Sequence, residues 1–95
     1  GRSPSRIDPQ EARQLVADGA ILLDVRSPQE HAGSHLPEAV NIPVDQLDMH
    51  LDDVRQFNRP VVVYCASGMR SNKAAGILRS ADIQDVHDLG SLSRW

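Results

Sequence analysis

Strand-like apolar runs and helix-start signals alternate along this chain, and that alternation narrows the possible folds more than any other feature. Asp8-Pro9-Gln10-Glu11 opens a helix: Asp8 caps it, Pro9 takes the first turn and Glu11 completes a capping box. Ala12, Leu15 and Val16 then share one face, and Gly19 ends the helix. Ile21-Leu22-Leu23-Asp24-Val25 reads as a buried strand, and Ser27-Pro28-Gln29-Glu30 repeats the capping-box pattern at the start of a short helix. Ala39 to Ile42 is a short strand between Pro37 and Pro43, and Leu47, Leu51 and Val54 recur at helical spacing from Asp45 to Gln56. Pro60 introduces a strand from Val61 to Cys65. Ser71 to Ala81 forms a helix with Ala74, Ile77, Leu78 and Ala81 inward, and Gly76 lets it approach the sheet. Asp85 to Leu89 is the last strand. Strands separated by helices predict an α/β fold, a small and mainly parallel sheet with helices on both faces.

The 95 residues suffice for one domain with its own core, 1–95. Gly1 to Ser5 reads as a tag remnant or linker, with no hydrophobic segment behind it of the kind a signal peptide has. The stop at Trp95, just after a motif-like stretch, suggests a piece of something longer. Aromatic residues make up only 3%, so the core must be aliphatic. A net charge of −3 argues against a broad nucleic-acid surface, so any anion site must be local. No apolar run approaches the ~20 residues of a membrane span. The compartment stays open; the cytoplasm is favoured, and the periplasm is the alternative if a leader has been removed.

The single cysteine can form neither an internal disulfide nor a cysteine-based zinc cluster. It stands at the end of Val61-Val62-Val63-Tyr64 and opens Cys65-Ala66-Ser67-Gly68-Met69-Arg70-Ser71, directly before a helix. A strand that ends in a thiol, followed by a short loop and a helix N-terminus, aims several backbone N–H groups at the sulfur. Gly68 permits the tight curvature this needs. The helix dipole and the Arg70 guanidinium both favour a thiolate and any anion attached to it. Met69 lines the pocket mouth, and Ser71 donates to the loop, caps the helix, or does both. The competing reading is a buried structural cysteine, common for free thiols, and Gly68 and Arg70 at these spacings weigh against it.

Elsewhere, Asp24 and Arg26 flank the end of a central strand, where α/β ligand sites gather; they either support the cysteine loop or form a structural ion pair, and the ion pair is favoured. His31 and His35 are four apart, a metal-binding spacing on a helix, but Gly33-Ser34 and Pro37 interrupt any helix there and no third ligand is near, so no metal is expected. His50 falls on a solvated helix face. His87 lies in a short strand without an assigned role.

The loop resembles the Cys-x-x-Gly-x-Arg pattern of the rhodanese family of single-domain sulfurtransferases, at Cys65, Gly68 and Arg70. Asp24-Val25-Arg26-Ser27-Pro28-Gln29-Glu30 is similar to the family's Asp-Val-Arg segment with its acidic helix. His35-Leu36-Pro37-Glu38-Ala39-Val40-Asn41-Ile42-Pro43 is similar to its His-Ile-Pro-Gly-Ala-x-Asn-Ile-Pro, and Val86 to Trp95 resembles its terminal segment. Departures fall at His31 (usually aromatic) and at Ser34, Glu38 and Ser91 (usually Gly). The resemblance implies a sheet of about five strands and a sulfurtransferase that works through a Cys65 persulfide, with ping-pong kinetics and no cofactor. An anionic sulfur donor such as thiosulfate would be held by Arg70 and the N–H groups of residues 66–70, and cyanide or a thiol would accept the sulfur. A fused or separate sulfur-relay protein is the implied partner, with no nucleic acid or membrane, and the chain is expected to be a monomer.

Two other functions compete. A rhodanese-like interaction domain with little turnover would have no need of an intact Cys65, Gly68 and Arg70. A cysteine-dependent phosphatase or arsenate reductase would want five residues between Cys and Arg, whereas four intervene here, and no general acid is identifiable.

Overall fold

The computed structural model describes residues 6–95; Gly1 to Ser5, read above as tag or linker, lie outside the described residues. Four strands, β1 (Ile21–Asp24), β2 (Val40–Asn41), β3 (Val61–Cys65) and β4 (Val86–Ser91), form one sheet in the order β2-β1-β3-β4. All three pairings are parallel, as the alternating pattern predicts. Four helices accompany them: α1 (Pro9–Ala17), α2 (Pro28–Gly33), α3 (Leu51–Phe57) and α4 (Met69–Ser80).

Central β3 is buried at every position. Successive side chains leave opposite faces of a strand, so a strand covered on both sides must be apolar throughout. Val61, Val63 and Cys65 enter one core layer with Val54 of α3 and Ala74, Ala75 and Leu78 of α4. Val62 and Tyr64 enter the other, with Ile7, Leu89 and Ala12 of α1. The core is thus aliphatic apart from Tyr64.

Four strands pair among the described residues, against the five that the resemblance implied. Among the described residues one ladder-like bond lies beside β4, Ile7 N–H to the Asp88 carbonyl at 2.9 Å, and Pro9 then starts a helix. Other local expectations also change. Asp8 makes no side-chain cap; Asp8 and Glu11 both face solvent, which leaves the first N–H groups of α1 open to water. The helix expected from Asp45 to Gln56 is two pieces, a 3-10 helix at Val44–Met49 and α3, because His50 leaves the helical region at φ −121 and ψ 17. Gly76 faces solvent with nothing packed over it, so it does not bring α4 closer to the sheet. Glu38 takes the left-handed conformation, φ 64, where glycine is the unstrained choice, while Ser91 at φ −77 does not.

Candidate active site

Ligand sites of parallel α/β sheets gather at the carboxyl ends of the strands. Cys65 is the last residue of β3, and the loop 66–68 returns the chain into α4. Gly68 caps α4 with φ 106, a conformation that side chains rarely tolerate. The curvature turns its N–H onto Cys65 Sγ at 2.9 Å, and the Ser71 N–H donates to the same sulfur at 3.3 Å. Ser71 lies inside the first turn of α4, so it serves the loop and does not cap the helix. Its hydroxyl donates to the Gly68 carbonyl at 3.1 Å and can turn to the sulfur when that is charged.

Burial pushes the Cys65 thiol up, for the residue is fully enclosed. Hydrogen bonds from the Ser71 hydroxyl and from the Ser71, Gly68 and Ser67 N–H groups outweigh it, and the net effect lowers the thiol below its ordinary value. The sulfur therefore forms the floor of a ring of donors. Ala66 and Ser67 are exposed on its rim, and Met69 stands 80% exposed beside it.

Arg70 is engaged with a group that the sequence did not single out for this role. Its Nη1 and Nη2 donate to Glu30 Oε1 and Oε2 at 2.7 and 3.0 Å. Glu30 also completes the Ser27 capping box of α2, accepting from the Ser27 N–H at 3.0 Å while its own N–H donates to the Ser27 hydroxyl. Arg70 first, and the Ser27 N–H second, hold the Glu30 carboxyl down to about 2. The local capping pattern was visible in the sequence, whereas no signal joined Glu30 to a residue 40 positions away.

Asp24 and Arg26 form a buried ion pair behind α2. Asp24 Oδ1 accepts from the Arg26 N–H at 2.9 Å and Nε at 3.0 Å, and Oδ2 from Nη2 at 2.8 Å. The Tyr64 hydroxyl donates to Oδ2 at 3.0 Å, and His31 Nδ1 meets the same oxygen at 2.8 Å. Burial raises the Asp24 carboxyl, but the bonds from Arg26, His31 and Tyr64 prevail and lower it. Burial pushes the Tyr64 phenol up to about 12, so it remains a donor. Arg26 Nη2 also donates to the Ser34 carbonyl at 2.7 Å, tying down the end of the helix that carries Glu30. Neither Asp24 nor Arg26 has a hydrogen bond to the cysteine loop; they reach it through α2 and through Tyr64, the residue before Cys65. The rings of His31 and His35 stack with centroids 4.0 Å apart.

A family model of the Rhodanese-like domain matches residues 8–95. The chain belongs to the rhodanese family. Thiosulfate sulfurtransferase GlpE of Pseudomonas syringae pv. syringae (strain B728a) is 36% identical over 95 residues, covering 95% of this chain and 85% of that protein. The uncharacterized protein YqhL of Bacillus subtilis (strain 168) is 38% identical over 77 residues; the match takes in 80% of this chain and spans 60% of YqhL. The solved structure of the human single-domain sulfurtransferase TSTD1 aligns with a TM-score of 0.82 at 29% identity, over 98% of this chain and 96% of that one. Membership places this rhodanese domain among the sulfurtransferases. A cleft of about 310 Å³ lined by Arg55, Arg59, Asp82 and Asp85 lies at the amino ends of β3 and β4, the end of the sheet opposite Cys65.

Proposed function

We propose that this rhodanese domain moves a sulfane sulfur from an anionic donor such as thiosulfate to a thiol or cyanide through a persulfide on Cys65. In the first step the Cys65 thiolate attacks the donor's outer sulfur, the donor's S–S bond breaks, and sulfite leaves with the bonding pair. In the second, an acceptor thiolate or cyanide attacks the outer sulfur of the persulfide, and Cys65 leaves as a thiolate. Charge and atoms balance without a redox cofactor. The observation that carries this reading is the convergence of the Gly68 and Ser71 N–H groups on Sγ, with the net lowering of the thiol. Those donors favour the thiolate that attacks and would stabilise the persulfide anion that follows. The enclosure of Sγ suits a substrate that offers one terminal sulfur atom. Two separate half-reactions give ping-pong kinetics.

Intact-protein mass spectrometry after thiosulfate exposure tests the first step. A gain of about 32 Da, reversed by cyanide and missing in Cys65→Ser, is the expected result for a thiolate nucleophile. A protein that gains no mass, or a Cys65→Ser variant that gains the same mass, overturns the reading.

A further inference from the structure

Arg6 belongs to none of the family segments, yet it reaches the cysteine loop. Its neighbour Ile7 is buried and donates its N–H to the Asp88 carbonyl at 2.9 Å, which fixes residue 6 beside β4. From there the side chain crosses two glycines. A Cβ at Gly90 would stand 3.0 Å from Arg6 Cδ and Nε; a Cβ at Gly68 would stand 2.3 Å from Nη2 and 2.9 Å from Cζ. Both glycines have positive φ, and together they leave a trough that the arginine fills.

Gly68 is the residue whose N–H donates to Sγ at 2.9 Å. Standard bond lengths therefore put the nearer guanidinium nitrogen no more than roughly 8 Å from the sulfur. The other two arginines around the site are neutralised, Arg70 by Glu30 and Arg26 by Asp24. Among the described residues no carboxylate forms an ion pair with Arg6, and the residue is exposed. A cation without a carboxylate partner among the described residues thus stands against Gly68, beside a loop whose own arginine is already occupied.

We propose that Arg6 is the donor-binding cation of this site, taking the oxyanion end of a sulfur donor such as thiosulfate while its outer sulfur approaches Cys65. The donor can bridge the gap when it bends toward Gly68. An attacked sulfur sits about 3.5 Å from Sγ, and the central sulfur lies one S–S bond, about 2 Å, from it. One of its oxygens then accepts a charge-assisted hydrogen bond of roughly 2.8 Å from Arg6. Fully extended, that path would overshoot a cation held within the bound set by Gly68, so the bound donor lies across the loop and does not point straight out. The assignment rests on the sulfur-transfer reading for its substrate and on the Arg6 trough for its geometry.

Steady-state kinetics of the 95-residue protein with thiosulfate, comparing Arg6→Gln and Arg6→Lys with the parent, test it. Arg6→Gln raises the donor KM roughly three- to tenfold at low salt, the scale of one unit charge at this range between water and a protein surface, with kcat little changed. Lysine restores most of the loss, added salt shrinks the difference, and alkylation of Cys65 by uncharged iodoacetamide keeps its rate. Thiosulfate binding to the Cys65→Ser protein, which cannot turn over, weakens by the same factor when Arg6→Gln is added. An unchanged thiosulfate KM and affinity, or an equal fall in the iodoacetamide rate, overturns the role of Arg6. A parent protein that binds thiosulfate through Arg6 but forms no persulfide overturns the transfer reading and leaves the anion site standing.

Discussion

Asp24→Asn keeps the volume of a buried side chain and removes its charge, so its consequences can be worked from contacts alone. The carboxylate takes three hydrogen bonds from Arg26, one from Tyr64 and one with His31. An amide offers a single acceptor oxygen, so one position now presents N–H groups to donors. The Tyr64 hydroxyl can rotate and the imidazole can change tautomer, but the Arg26 guanidinium can do neither, and its side chain is only 6% exposed. Leaving one member of a buried pair uncompensated costs about 3–5 kcal/mol, against a total of about 5–15 kcal/mol for a domain. In urea, with a slope of about 1.5 kcal/mol/M for a chain of this size, the unfolding midpoint should fall by at least about 2 M. The damage should extend to function, because Arg26 also holds the Ser34 carbonyl and thereby the helix that presents Glu30 to Arg70. Persulfide formation should slow in the folded variant. Adding Arg26→Met removes the stranded charge and should recover at least about 1 kcal/mol. A loss under about 1 kcal/mol with an unchanged slope, or a double variant no more stable than the single one, would refute the argument.

Two further outcomes follow from the loop and from α2. Glu30 is depressed from an ordinary 4.5 to about 2, so its contribution is complete above pH 4.5 and disappears as the pH falls toward 2. Asp24, also lowered, loses its share in the same direction. Glu30→Gln should flatten this acid limb in thermal melts by less than about 1 kcal/mol, since its side chain is 36% exposed and partly screened; an acid limb identical to the parent's would remove the role given to the pair. Gly68→Ala places a Cβ at φ 106, a strain of about 1–3 kcal/mol, turns the 2.9 Å N–H away from Sγ and pushes the Arg6 guanidinium aside. Stopped-flow persulfide formation should slow at least about tenfold, on the scale of losing one oriented donor; an unchanged rate would mean that the ring does not depend on that N–H.

What could be read from the sequence was local. Val61 to Cys65 is found as expected because an all-apolar run behind a proline admits few other structures. The Ser27 capping box forms because both partners lie within one turn. The same pattern at Asp8 fails, since a solvent-facing helix start can use water instead. Leu47, Leu51 and Val54 keep helical spacing across a break at His50, so periodicity alone could not place it. At the site, the cysteine, the glycine and the helix N-terminus were legible because six consecutive residues carry them. The Glu30–Arg70 pair, the Asp24–Tyr64 bond and the approach of Arg6 to Gly68 were not, because each joins segments that meet only after the sheet has formed.

The parallel sheet also governs how the protein comes into being. No strand can reach its partner through a tight turn, so every ladder waits for a crossover. On the ribosome, β3 can dock on β1 as soon as residues 61–65 emerge, but its other edge is a row of valines with unpaired backbone groups until residues 86–91 arrive. Ile7 cannot settle earlier either, for its N–H bonds to Asp88. Closure is therefore a single late event, in the slow range of non-local pairings. A chain stalled before β4 leaves that edge of β3 unpaired, so interruption of synthesis exposes it to aggregation.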